Sequence, residues 1–204
     1  MCGFAGIYRK EPVQDWEKEN INEMSKSIHY RGPDDSKLVL DDRIALAFRR
    51  LSIIDLEKGS QPFTLFDGKI IGIFNGEIYN YRILRDELIA KGESFTTNSE
   101  IEVMLKLFYL EGPSFINRLR GMFAFALYNK EKEMLMLGRD PFGIKPLYLH
   151  ESENGLVFAS ETKPFFFDND FAGFGVDKTL LQHYFTYQYV PEPKTLGGID
   201  LLPA

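Results

Sequence analysis

Small and apolar residues alternate without a helical period over Cys2–Lys10, "CGFAGIYRK", which predicts a short buried strand at the chain start. Ile21, Met24 and Ile28 recur at helical spacing within "WEKENINEMSKSIHY", predicting an amphipathic helix. "RGPDD" then breaks it with Gly32 and Pro33. Two β-rich runs flank Asp41-Asp42 as a hairpin, and Asp67-Gly68 reads as a two-residue turn inside "TLFDGKIIGIFNGE". "NYRILRDELIAKG" predicts a helix that stops at Gly92, and "NSEIEVMLKLFYLEG" another that opens on a Ser99/Glu102 capping box. Two further hairpins turn at Asn129–Glu131 and Ser152–Gly155, and "DKTLLQHYFTYQY" is helical. The Pro- and Gly-rich "VPEPKTLGGIDLLPA" reads as a linker or loop.

Successive hairpins imply antiparallel sheet, and strands such as "IIGIF" and "MFAFALY" are apolar on both sides. Such strands need cover on both faces. Two sheets packed face to face with helices outside provide it, giving an α+β protein with four αββα layers.

Composition narrows the function. At 204 residues, 44% of them hydrophobic, the chain can bury a full core. A net charge of −6 and a pI near 5.2 leave no basic excess to match phosphates, which argues against nucleic acid as a partner. No run approaches the roughly 20 apolar residues of a membrane helix. One cysteine precludes an internal disulfide framework and suits a cytoplasmic location. Three scattered histidines with that single cysteine make no zinc pattern, so no metal ligand is assigned.

The lone cysteine directly follows the initiator methionine, where chains ordinarily fray. A thiol attacks a carbonyl only as thiolate, and a free cysteine near pKa 8.5 is mostly protonated at neutral pH. An α-amino group, with a pKa near 7.7–8.0, is well placed to act as general base. Removal of Met1 would put nucleophile and base on one residue, Cys2. The small neighbours Gly3, Ala5 and Gly6 would then let a terminal strand sit buried and hold that residue still.

"CGFAGIY", "YRGPDD", "RRLSIIDL", "FNGEIYNYRILRDEL", "RDPFGIKPLY" and "FASETK" occur in order along essentially the whole chain. The set resembles class II glutamine amidotransferases, and most nearly the glutaminase half of glutamine-hydrolysing asparagine synthases. The resemblance implies an N-terminal nucleophile (Ntn) hydrolase fold that releases ammonia from L-glutamine through a thioester on Cys2. It implies that Asn75 and Gly76 form the oxyanion hole. Arg50 would pair with the substrate α-carboxylate, as a guanidinium can through two parallel hydrogen bonds. Glu77 would accept from the substrate ammonium, and Arg31 would lie on the pocket wall. Leu51, Ile53 and Ile54 read equally as pocket lining and as core strand.

Two positions depart from the family pattern. Glu100 stands where an Asp ordinarily contacts the substrate ammonium; it is assigned as a ligand, and it also suits the first turn of a helix. Glu102 is assigned to capping. Phe48 stands where relatives often carry His. The phosphate loop of an ATP-dependent synthetase domain, Ser-Gly-Gly-x-Asp-Ser, does not occur. Residues 1–190 are therefore expected to form the glutaminase domain and 191–204 a connector toward such a domain. ATP and Mg would belong to that missing half, with aspartate as the ammonia acceptor. Another acceptor, or a glutamine-binding module that has lost catalysis, are the competing readings. A homodimer is compatible with the sequence.

Overall fold

Side chains on a strand point alternately to its two faces, and here both faces are apolar. The computed structural model describes residues 1–51, 60–171, 175–195 and 197–204. β1 (Gly3–Arg9) runs antiparallel between β3 (Ile44–Arg50) and β9 (Gly155–Ala159). β2 (Asp35–Leu40) and β8 (Tyr148–Ser152) extend that sheet on either side. The second sheet joins β4 (Phe63–Leu65), β5 (Ile70–Ile78), β6 (Gly121–Asn129) and β7 (Met134–Arg139) in that order, also antiparallel.

Phe4, Leu46, Phe48 and Phe158 from the first sheet meet Ile71, Ile73 and Tyr128 from the second in one buried cluster. This is the space between the sheets. The opposite parity of β1 and β3, Ala5, Ile7, Ala45 and Ala47, packs against Ile21 and Met24 of α1 (Asp15–Ser27). Phe74, Phe123, Phe125 and Leu127 pack outward against α2 (Tyr81–Ala90) and α3 (Glu100–Glu111). Each such fully buried large side chain contributes about 1.5–3 kcal/mol. The layers are αββα, as the doubly apolar strands require. α4 (Lys178–Tyr187) buries none of its residues; Asp177 caps it by accepting from the Thr179 and Leu180 N–H groups.

Four local expectations are corrected. α1 ends at Ser27, and His29–Arg31 form a short 3-10 turn of their own. Leu65 pairs with Ile70, so the β4–β5 loop has four residues rather than two. Phe66 is drawn outward there to meet the Tyr109 ring of α3 at 4.4 Å, and Phe66, Asp67 and Gly68 all take positive φ. Ser99 makes no capping hydrogen bond. Glu102 instead accepts from the N–H groups of Thr96 and Thr97, at 2.9 and 2.7 Å, because the preceding loop folds over the helix start. Finally, Asp200–Leu201 form β10, paired with β8, and Ile199 is fully buried, so part of the Pro/Gly-rich end belongs to the sheet.

Candidate active site

Strand parity alone brings the site together. Phe4 and Phe48 face the space between the sheets, so Cys2 and Arg50, each two residues on toward the same end, face it too. On β5, Ile71 and Ile73 line that space, and Asn75 and Glu77 continue their parity. Opposite Glu77 stands Met122 of β6. These positions line a cavity of about 150 Å³ at the mouth of the sandwich. Drug-sized ligands occupy roughly 300–1,000 Å³, so the cavity suits something as small as an amino acid.

Cys2 lies one residue outside the β ladder and is held by other means. The Leu51 N–H donates to Cys2 Sγ at 3.4 Å, and the thiol faces the Leu51 carbonyl at 3.6 Å. Arg31 Nε donates to the Cys2 carbonyl at 3.1 Å. Met1 lines the cavity, its Sδ accepting from Lys145 Nζ at 3.4 Å.

Asn75 is 3% exposed, and its side-chain Nδ2 has no hydrogen-bond partner among the described residues. A buried donor left unmade costs about 1–3 kcal/mol, so this amide is poised for an acceptor that the described residues do not supply. Gly76 follows with φ +152°, and a Cβ there would stand 2.0 Å from the Met122 carbonyl oxygen. Only glycine lets β5 and β6 approach so closely beside the cavity.

The cavity also carries ionic groups of both signs. Arg50 is buried on its wall. Glu77 and Glu100 stand on the same wall, and Glu100 Oε1 accepts from the Ile78 N–H at 2.8 Å. Burial, and then the neighbouring Glu77, push the Glu100 carboxyl up to about 7, against one opposing backbone hydrogen bond. A ligand with a carboxylate at one end and an ammonium beside it would neutralise both halves of this arrangement.

The cavity thus gathers Cys2, Arg50, Leu51, Asn75, Gly76, Glu77 and Glu100. Ile53 and Ile54 fall outside the described residues. Arg31 is not among the described residues that line the cavity; it stands beside Cys2, with Nη1 paired to Glu161 at 2.7 Å. Reasoning from sequence missed Gln61, whose Oε1 accepts the Phe74 N–H at 2.6 Å, and it missed Lys145. The signal for Lys145 was a single cation in the otherwise apolar "FGIKPLY". Its loop is built around Asp140, fully buried, which accepts from the N–H groups of Phe123, Phe142, Ile144 and Lys145. Burial raises the Asp140 carboxyl, but those four donors outweigh it and hold it below the ordinary range.

A family model described as "Glutamine amidotransferase domain" matches residues 1–204. The chain is 45% identical over 201 residues to asparagine synthetase [glutamine-hydrolyzing] 1 of Bacillus subtilis, covering 97% of this chain and 31% of that protein. It is 41% identical over 165 residues to asparagine synthetase B [glutamine-hydrolyzing] of Escherichia coli, covering 80% of this chain and 29% of that one. Among solved structures, glutamine phosphoribosylpyrophosphate amidotransferase from B. subtilis superposes with a TM-score of 0.66 at 21% identity, over 80% of this chain and 43% of that one. That likeness establishes the fold. The chain spans less than a third of the length of the two sequence relatives.

Proposed function

The chain belongs to the glutamine amidotransferase domain family, and from that premise we propose that it hydrolyses L-glutamine to glutamate and ammonia once Met1 is removed. The observation that carries this reading is the buried Nδ2 of Asn75, without a partner among the described residues, on the same small cavity as the Cys2 thiol. Arg50 receives the substrate α-carboxylate, and Glu77 with Glu100 receives its ammonium. The side-chain amide then points at Cys2.

The freed α-amine of Cys2 takes the thiol proton as Sγ bonds to the amide carbon. The carbonyl oxygen becomes an oxyanion that accepts from Asn75 Nδ2 and the Gly76 N–H. The ammonium proton passes to the leaving nitrogen, and ammonia departs as the C–N bond breaks, leaving a thioester. Water, deprotonated by the same amine, attacks the thioester carbon, and glutamate leaves as Sγ recovers its proton.

The names of the sequence relatives favour delivery of the ammonia to aspartate within a longer protein that carries an ATP-dependent synthetase domain. ATP and Mg are assigned to that further domain, and no residue of this chain is given a role toward them. The stretch 191–204, fastened to the first sheet through Asp200–Leu201, leads toward it.

Intact mass before and after incubation with a glutamine-like diazo ketone, together with glutamate release, tests the reading. A single adduct on Cys2 in protein lacking Met1, with glutamine turnover, supports it. Processed protein that binds glutamine without releasing glutamate would leave only a binding module.

A further inference from the structure

Among the described residues, the Cys2 carbonyl has no strand partner. The β1–β3 ladder begins at Gly3, and on the β9 side the last fastenings are Ser160 N to the Phe4 carbonyl, 2.9 Å, and Phe4 N to Ser160 Oγ, 3.1 Å. A chain end released one residue before its ladder begins frays. The Arg31 guanidinium takes the place of the missing strand, through Nε to the Cys2 carbonyl at 3.1 Å.

A guanidinium on a flexible stem fixes nothing unless it is itself held. Glu161, 130 residues away in sequence, holds it: Oε1 accepts from Arg31 Nη1 at 2.7 Å, and Oε2 accepts from the Tyr30 hydroxyl. Arg31 is 9% exposed in its side chain, and its Nη2 is buried without a partner among the described residues. Its stem lies across Gly3, where an added Cβ would come within 2.8 Å of Arg31 Cδ. The glycine after the nucleophile is thus accounted for by the arginine packed upon it.

We propose that Glu161 is a positioning residue for the Cys2 nucleophile, acting through Arg31 on the Cys2 backbone. This rests on the glutaminase reading for its consequence in turnover, but not for its effect on the thiol. Glu161 is not among the described residues that line the cavity. It holds the one residue that carries both nucleophile and base, and a displacement of about 1 Å there costs on the order of a hundredfold in rate.

The test uses processed protein with Glu161→Gln, Glu161→Asp, Arg31→Lys and the Gln/Lys double variant. Glutamine kinetics, melting temperature and the rate of iodoacetamide alkylation of Cys2, the only cysteine, are compared. Glu161→Gln should lower kcat by about ten- to a hundredfold with KM within about twofold, and slow alkylation. Glu161→Asp should recover part of the loss, and the double variant should be no slower than Arg31→Lys. If Glu161→Gln melts far below wild type, Glu161→Asp carries the same comparison. Wild-type kcat and alkylation in the Gln variant, a raised KM with unchanged kcat, or losses that multiply in the double variant would each overturn the proposal. Should wild type release no glutamate, the function fails, while the alkylation rates still decide the role of Glu161.

Discussion

The backbone N–H of Leu51 points at Cys2 Sγ from 3.4 Å. An N–H aimed at sulfur holds it in one orientation at the cavity, and such a hydrogen bond is worth about 0.5–1.5 kcal/mol. Leu51→Ala keeps this donor and Leu51→Pro removes it. Alkylation of Cys2 near neutral pH should therefore be close to wild type in the first variant and about tenfold slower in the second. Equal rates in both would show that the contact does not act on the thiol.

Asn75→Ala should separate function from stability. Glutamine turnover is expected to fall by about 10²–10³ with the loss of one oxyanion donor. The melting temperature should hold or rise, because the deleted Nδ2 is a buried donor with no partner among the described residues. Calorimetry and steady-state kinetics on one preparation check both halves.

Glu100 gives a pH signature. Its folded carboxyl titrates at about 7, above the ordinary value of 4.5, so between those values the folded state holds the extra proton. The stabilisation this brings is complete at low pH and is lost as pH rises through about 7. Ligand-free protein should accordingly melt lower at about pH 8 than at about pH 5.5, and Glu100→Gln should flatten that slope. A substrate ammonium favours the ionised carboxylate, so glutamine should bind more tightly above pH 7 than below it in wild type. A slope unchanged in the variant would remove Glu100 as its source.

Gly76→Ala should disrupt the β5–β6 pair. The new methyl would meet the Met122 carbonyl oxygen at 2.0 Å in a backbone with φ +152°, costing about 2 kcal/mol or more. Chemical denaturation should show the loss, with glutamine turnover falling alongside.

Away from the cavity, Arg9 is buried between Glu17 and Asp168, all three under 5% exposed. Arg9→Met would leave two buried carboxylates without their cation and should cost about 3–5 kcal/mol, read as a lower denaturation midpoint with unchanged Cys2 reactivity in the folded protein.

Period-two alternation was legible without coordinates, and it carries much of the site. The parity that sends Phe4, Phe48, Ile71 and Ile73 into the space between the sheets also sends Cys2, Arg50, Asn75 and Glu77 to one end of it. Quoted motifs supplied the chemistry of those positions. Short-range signals worked less well wherever a distant element competed: Phe66 left a two-residue turn to meet Tyr109, and Glu102 passed over Ser99 to bind the loop before α3.

From the sequence alone came the strands, the helices, the αββα layering and a candidate nucleophile at the second residue, because backbone alternation and residue chemistry are local properties. Tertiary structure decided which side chains hold that nucleophile in place. Leu51 and Arg31 reach Cys2 from 49 and 29 residues away, Lys145 reaches Met1 from 144, and Glu161 reaches Arg31 from 130. No spacing rule connects positions so far apart; the pairing of β1 with β3 and β9 in one sheet brings Leu51 and Glu161 to the chain start.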